Sequence, residues 1–204
     1  ITPAYAVRIY RAYGSQALNV VRENPYRLAM DIHGIGFVTA DAAAAKLGFE
    51  ADNPLRIQAG TLYILQKATD DGNVYLPEHK LVRDVCAQLS VEPEQARDAI
   101  AALEQDERLV REAMDAPEDS EGQDGADDFD AGDGVEVGVY LRRYHHCESK
   151  TAFYLQRLLH SPKAVRFENP DALVDKVTAE LPIALAPEQL EAVRTAARSK
   201  VMVL

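Results

Sequence analysis

His33-Gly34-Ile35-Gly36-Phe37-Val38-Thr39-Ala40-Asp41 decides how this chain folds, because the surrounding residues from Leu28 to Gly48 read as helix, two-glycine hairpin, helix. Gly34 and Gly36 flank one apolar residue, so the turn can take positive φ and expose consecutive backbone N–H groups with no Cβ in the way. The second helix begins there, and its N-terminus adds partial positive charge. A phosphate oxygen fits such a turn whatever base it carries. Leu28, Ile32, Ile35, Ala40, Ala43 and Leu47 are placed to close a small helical core, and Gly48 is placed as the residue after the helix C-cap. An ordinary helical corner that binds nothing shares the short GxG pattern, which is weakly specific by itself.

A second copy lies upstream. Laying Ile1 to Gly14 over Ile35 to Gly48 aligns Ile1 with Ile35, Ala6 with Ala40 and Gly14 with Gly48, and brings Ile9 and Tyr13 onto Ala43 and Leu47. Short helical segments from Ser15 to Val21 and from Pro25 to Met30 fill the interval. The spacing suits a paired hairpin domain that holds phosphates along one DNA face, with Gly34, Ile35, Gly36, Thr2 and Ala4 as candidate phosphate-binding positions and Arg8 and Arg11 as candidate DNA contacts. On this reading the chain is expected to begin inside its first hairpin.

The net charge of −11 looks wrong for a DNA binder until it is localised. Nine acidic residues and no Lys or Arg fall between Asp115 and Gly134, and the rest of the chain carries only −2. That stretch, rich in Gly and Asp, is expected to be a solvated, disordered loop. Its Asp spacing lacks the ligand positions of a calcium loop. With 47% apolar residues among 204, the chain can build one or two cores. No apolar run approaches the roughly 18 residues of a membrane span, and no leader pattern is present. Cys86 and Cys147 lack CxxC spacing and suit reduced thiols, which points to a cytoplasmic location.

Downstream, Pro54 to Thr69 forms an amphipathic helix pattern, Val74-Tyr75-Leu76 a short strand, and Pro77 opens a helix striped with Leu81, Val85 and Leu89. Ala96, Ala99, Ile100 and Leu103 face inward from the next helix. Leu109 to Ala113 and Val135 to Leu141 read as strands joined by the acidic loop. This is the element order of a winged helix. Its third helix, Glu92 to Gln105, carries four acids against Arg97 alone, so sequence-specific DNA reading is not expected of it. Structure or partner docking suits it better.

Positive charge gathers from Arg142 to Arg166, where six cations meet one acid, Glu148, and Tyr144, Phe153 and Tyr154 are interleaved. Arg142, Arg143 and Lys150 are candidate DNA contacts, since basic residues with aromatics can hold a single strand. Tyr144, Cys147, Thr151, Tyr154, Leu155 and Leu158 also form a helical stripe that would suit a core. Adjacent His145, His146 and Cys147 diverge around a helix and make a poor metal cage. Leu185-Ala186-Pro187-Glu188-Gln189 opens a further helix to about Arg198, and Val201 to Leu204 has the pattern of a buried parallel strand.

Taken together, Asn24 to Leu28, His33 to Phe37 with Thr39-Ala40-Asp41, Val74 to Pro77, Leu185 to Gln189 and Lys200 to Leu204 resemble the RecD-like DNA helicases. These are relatives of the exodeoxyribonuclease V alpha subunit, in the group with a long N-terminal extension. The resemblance implies a mainly α chain with small β: tandem helix-hairpin-helix units over 1–52 and a winged-helix-like domain with a β-hairpin wing over 53–141. Basic linker helices over 142–182 and the start of an α/β P-loop ATPase domain over 183–204 would follow. It implies that Gln189 stands where a Q motif recognises adenine, and that the parent protein is an ATP-dependent helicase translocating 5′ to 3′ on DNA, using ATP and Mg²⁺. Two departures stand out: Phe37-Val38-Thr39 supplies no basic residue after the hairpin, with Asp41 acidic beyond it, and Ala186 replaces a helix-capping Ser or Thr.

No GxxxxGK[ST] occurs in the chain, and no other catalytic arrangement stands in for it. These residues alone are therefore expected to be catalytically silent and to bind no cofactor, with a P-loop expected shortly after Leu204. The expected partner is DNA, bound without sequence preference as a single strand or junction, with a protein partner at the acidic wing and no membrane. A free-standing hairpin DNA-binding module and a protein-interaction module of a repair complex are the alternatives.

Overall fold

The computed structural model describes residues 3–114, 136–162, 167–180 and 182–202. The chain divides into two compact units, Ile1–His145 and His146–Leu204. Among the described residues it is mainly helical with one small antiparallel sheet, as expected.

The first unit opens with α1 (Pro3–Tyr13), a short 3-10 turn (Gly14–Gln16), α2 (Ala17–Glu23), α3 (Arg27–Asp31) and α4 (Phe37–Lys46). Helix α4 ends in a Schellman motif. Gly48 takes φ +85°, the Phe49 N–H reaches Ala44 O at 3.1 Å, and the Gly48 N–H reaches Ala45 O at 3.2 Å. The expected offset of 34 residues survives in the helix boundaries, since α1 starts at Pro3 where α4 starts at Phe37, and Gly14 (φ +57°) echoes Gly48. The buried faces do not repeat. Ala40 and Ala44 are fully buried in α4, whereas the equivalent Ala6 and Tyr10 are exposed and Ile9 carries the contact of α1.

Two expected core positions shift. Leu47 is 47% exposed and Ala43 is only half-buried, while Ala44, four residues after Ala40 and so on the same helix face, is fully buried. Leu47 is itself the C-cap of α4.

Next come α5 (Pro54–Asp70), β1 (Tyr75–Pro77), α6 (Glu78–Leu89), α7 (Pro93–Gln105), β2 (Leu109–Met114) and β3 (Glu136–Leu141). Asn53 caps α5 by accepting the Leu55 N–H at 2.9 Å. The stripes read from the sequence are the ones buried: Leu81, Val85 and Leu89 on α6, and Ala96, Ala99, Ile100 and Leu103 on α7. The sheet order is β1-β3-β2, antiparallel throughout, with Leu76 opposite Val139 and Arg111 opposite Val139 on the other side. A single apolar cluster runs from Ile9, Tyr26 and Ile35 through Leu65 and Leu81 to Val139. The acidic stretch between the strands lies outside the described residues.

Helix α8 (Arg142–His160) begins in the first unit. Its root is tied down there: Arg142 pairs with Glu107 at 2.7 Å, Arg143 bonds Gln66, and His145 Nε2 meets Glu112 at 3.2 Å.

In the second unit every residue of α8 from His146 onward is exposed, including Phe153 and Tyr154, so of the stripe Tyr144, in the first unit, packs against the core and the described residues after it do not. Helices α9 (Pro170–Ala179) and α10 (Pro187–Arg198) pair through Arg194–Asp175 at 2.7 Å and Arg198–Asp171. Val201 and Met202 lie in irregular backbone, not in the strand expected there, and Val203 and Leu204 are outside the described residues. A buried strand needs neighbours, and this unit has no strand among the described residues.

Candidate nucleic-acid interface

The hairpin between α3 and α4 is held from beneath and open above. Ile35 is 4% exposed and plugs the core, while Gly34 and Gly36 on either side face solvent. The Ile35 N–H closes the turn on Ile32 O at 3.1 Å. Gly34 takes φ +86°, which an L-residue with a Cβ rarely adopts. Gly36 differs from expectation: it is extended, at φ −91° and ψ 172°, because it serves as the N-cap of α4, a position that uses the β region. Its carbonyl accepts the N–H groups of Thr39 and Ala40, each at 3.1 Å. The amides of Phe37 and Val38 precede that ladder, as the first amides of any helix do.

Aromatic packing fixes the turn in place. Phe37, the residue after Gly36, stacks between Tyr26 at 6.1 Å and Tyr63 at 5.4 Å, and Phe49 meets Tyr26 edge-on at 6.4 Å. Tyr26 is 1% exposed, and its hydroxyl donates to Asp41 Oδ1 at 2.9 Å. Burial, followed by this bond to a carboxylate, pushes its ionisation well above the ordinary tyrosine range. Arg56 from α5 closes on the same carboxylate at 2.9 Å. The acid that follows the hairpin is thus neutralised inside the scaffold.

Helix α1 reaches over the turn. Tyr5 donates its hydroxyl to Gly34 O at 3.3 Å, Arg8 donates to His33 O at 3.2 Å, and the Arg8 guanidinium carbon stands 6.0 Å from the Tyr5 ring centre. On the other flank, Tyr13 donates to Asp31 at 2.9 Å, and Asp31 also pairs with Arg27 at 3.0 Å.

Of the residues singled out from the sequence, the structure brings Arg8 together with Gly34, Ile35 and Gly36. Ala4 is exposed in the first turn of α1, Arg11 is exposed with no ion-pair partner among the described residues, and Thr2 lies outside them. Arg142 and Arg143 are engaged at the root of α8, Arg143 also stacking 4.8 Å over the Tyr144 ring. Lys150 and Gln189 belong to the second unit. Gln189 Oε1 accepts the Ala186 N–H at 3.0 Å, which is half a capping box; Ala186 has no side-chain acceptor to return the bond. Tyr5 was not foreseen. Its link to the hairpin spans 29 residues, and only its shared helix face with Arg8 and Ile9 hints at it.

Residues 1–75 match the family model described as the ATP-dependent RecD2 DNA helicase HHH domain. The chain is also 30% identical over 177 residues, 86% of its length, to the ATP-dependent RecD2 DNA helicase of Deinococcus radiodurans. It spans 23% of that relative's length. Both matches bear out the similarity to the N-terminal region of a RecD-like helicase. No helix among the described residues is long and apolar enough to cross a membrane.

Proposed function

We propose that this chain, similar over most of its length to a RecD-like DNA helicase, is a region that holds DNA by its sugar-phosphate backbone for a larger ATP-dependent enzyme. The observation that carries this reading is the turn itself: a buried Ile35 anchors exposed backbone at Gly34 and Gly36, at the start of a helix, with a guanidinium alongside. Contacts of this kind position DNA without reading its sequence.

The remaining assignments belong to the same proposal. The order α5-β1-α6-α7-β2-β3 with sheet order β1-β3-β2 supports a winged-helix-like unit whose acidic third helix serves scaffolding or partner docking. In the larger protein, unwinding in the 5′ to 3′ direction would draw on ATP and Mg²⁺ bound by segments beyond this chain, since this chain has no P-loop. Gln189 would meet an adenine through its amide nitrogen and the second lone pair of its oxygen, the first being taken by the Ala186 N–H.

The test is a DNA titration at rising salt, comparing the 204-residue chain with the Gly34→Val, Gly36→Val double variant. The proposal expects affinity that falls steeply with salt and is lost in the double variant. Equal affinity in a still-folded variant would end it.

A further inference from the structure

We propose that Arg8 is the phosphate-binding cation of the Gly34–Gly36 hairpin, delivered across the fold from α1 and not by the residues that follow the turn. This rests on the reading of the hairpin as a backbone grip and supplies the charge that the turn's own sequence lacks.

The local sequence offers no alternative. After Gly36 the first cation is Lys46, in the last turn of α4. At 1.5 Å per residue that places it about 14 Å along the helix axis. Such a distance exceeds the screening length of about 8 Å at physiological salt. The nearby acids are already matched, Asp31 by Arg27 and Asp41 by Arg56, so neither repels an incoming phosphate with an unpaired charge.

Arg8 is fitted to the turn. Its Nη1 lies 2.7 Å from where a Cβ on Gly34 would stand, so the guanidinium rests against the bare Cα of a left-handed glycine. One of its five N–H groups goes to His33 O; the side chain is exposed, and the remaining donors form a planar fork that matches phosphate oxygens. The bond to His33 O also orients the peptide. That bond holds the plane of the His33–Gly34 peptide against α1. Tyr5 ties the next carbonyl, Gly34 O, to α1 as well. The cation therefore stands beside the turn only while α1 is docked.

The experiment measures binding of a labelled mixed-sequence single-stranded oligonucleotide to the 204-residue chain across a salt series, with Arg8→Gln, Arg8→Lys and Arg11→Gln variants. Arg8→Gln is expected to weaken binding about five- to tenfold at every sequence and to reduce the slope of log affinity against log salt by about 0.7. Arg8→Lys should restore the slope but not the full affinity, because an ammonium cannot span His33 O and a phosphate in one plane. Arg11→Gln should do markedly less than Arg8→Gln. A loss no larger than that of Arg11→Gln would assign the effect to net charge and overturn the inference. Wild-type binding by Arg8→Gln, with Gly34→Val still impaired, would overturn it while leaving the hairpin grip intact; wild-type binding by both would remove the grip itself. Should Arg8→Gln fail to fold, full wild-type affinity in Arg8→Lys is the overturning result.

Discussion

The guanidinium of Arg56 closes on both carboxylate oxygens of Asp41, Nε to Oδ1 at 2.9 Å and Nη2 to Oδ2 at 3.3 Å. Its third nitrogen spans Ala51 O at 2.7 Å and Leu89 O at 3.1 Å, so one side chain ties α4, the α4–α5 connection and the end of α6. Removing the cation leaves a half-buried carboxylate and two carbonyls without it. Arg56→Met is expected to lower unfolding free energy by about 2–3 kcal/mol, at or below the low end of the roughly 3–5 kcal/mol for breaking a fully buried pair, because this one is partly exposed. Asp41→Asn, which keeps a hydrogen-bonding group, should cost about 1–2 kcal/mol. In urea denaturation the double variant should lose less than the sum. Strict additivity would show the pair to be uncoupled.

The tyrosines on the two flanks of the hairpin make stability fall at high pH. Burial, then the hydrogen bond to Asp31 and that carboxylate's charge, pushes Tyr13 up to about 12 against an ordinary value near 10, with Arg27 pulling the other way. Tyr26 moves in the same direction for the same reasons, with Asp41 as its carboxylate. A group whose folded pKa is raised favours the folded state while protonated, so the contribution of Tyr13 is complete below pH 10 and is lost as pH climbs through 12. Ultraviolet titration should show these two phenols ionising above the ordinary tyrosine range. Tyr13→Phe should flatten the decline in stability across that window. A single ordinary titration step for all nine tyrosines would contradict this.

The two hairpin glycines should respond differently to a methyl group. Gly34 sits at φ +86°, and an added Cβ would meet Arg8 Nη1 at 2.7 Å. Gly34→Ala is expected to cost about 1–2 kcal/mol in backbone strain and to displace the guanidinium. At Gly36 the backbone is extended and a Cβ would face open space. Gly36→Ala should therefore lose less than about 1 kcal/mol, the difference between a Gly and an Ala cap. Thermal melts of the two variants decide the matter, and equal losses would mean that φ at Gly34 is not what demands glycine.

What was legible in the sequence was local. The stripes of α6 and α7 follow from 3.6-residue periodicity, and Gly48 from its place after a helical run. Burial at Tyr26 was not legible, because a tyrosine sits inside only when something accepts its hydroxyl, and that acceptor, Asp41, is 15 residues away. Asp41 itself looked unfavourable to phosphate until Arg56 was found beside it. The hairpin lacked a cation for the same reason: Arg8 reaches it across 25 residues, and no periodicity encodes that approach.

The close contact between α5 and α6 rests on Gly60. A Cβ there would lie 2.5 Å from Leu89 Cδ1 and 3.2 Å from its Cγ, and Leu89 is 3% exposed, so its side chain has little room to swing away. Two effects oppose each other in Gly60→Ala: alanine gains about 1 kcal/mol of helix propensity, and overpacking costs about 1–3 kcal/mol. The net expectation is a loss of up to about 2 kcal/mol. Gly60→Val gains less propensity than alanine and adds two further methyl groups, so its loss should reach about 3 kcal/mol or more. Because Leu89 O accepts from Arg56, a shift of Leu89 also pulls on the Asp41 pair, and the hairpin's support weakens with it. Truncating the obstructing side chain should relieve the clash, so Leu89→Ala combined with Gly60→Val is expected to cost less than the two single variants together. Stabilisation by Gly60→Ala with no loss in Gly60→Val would show that the two helices have slack at this point.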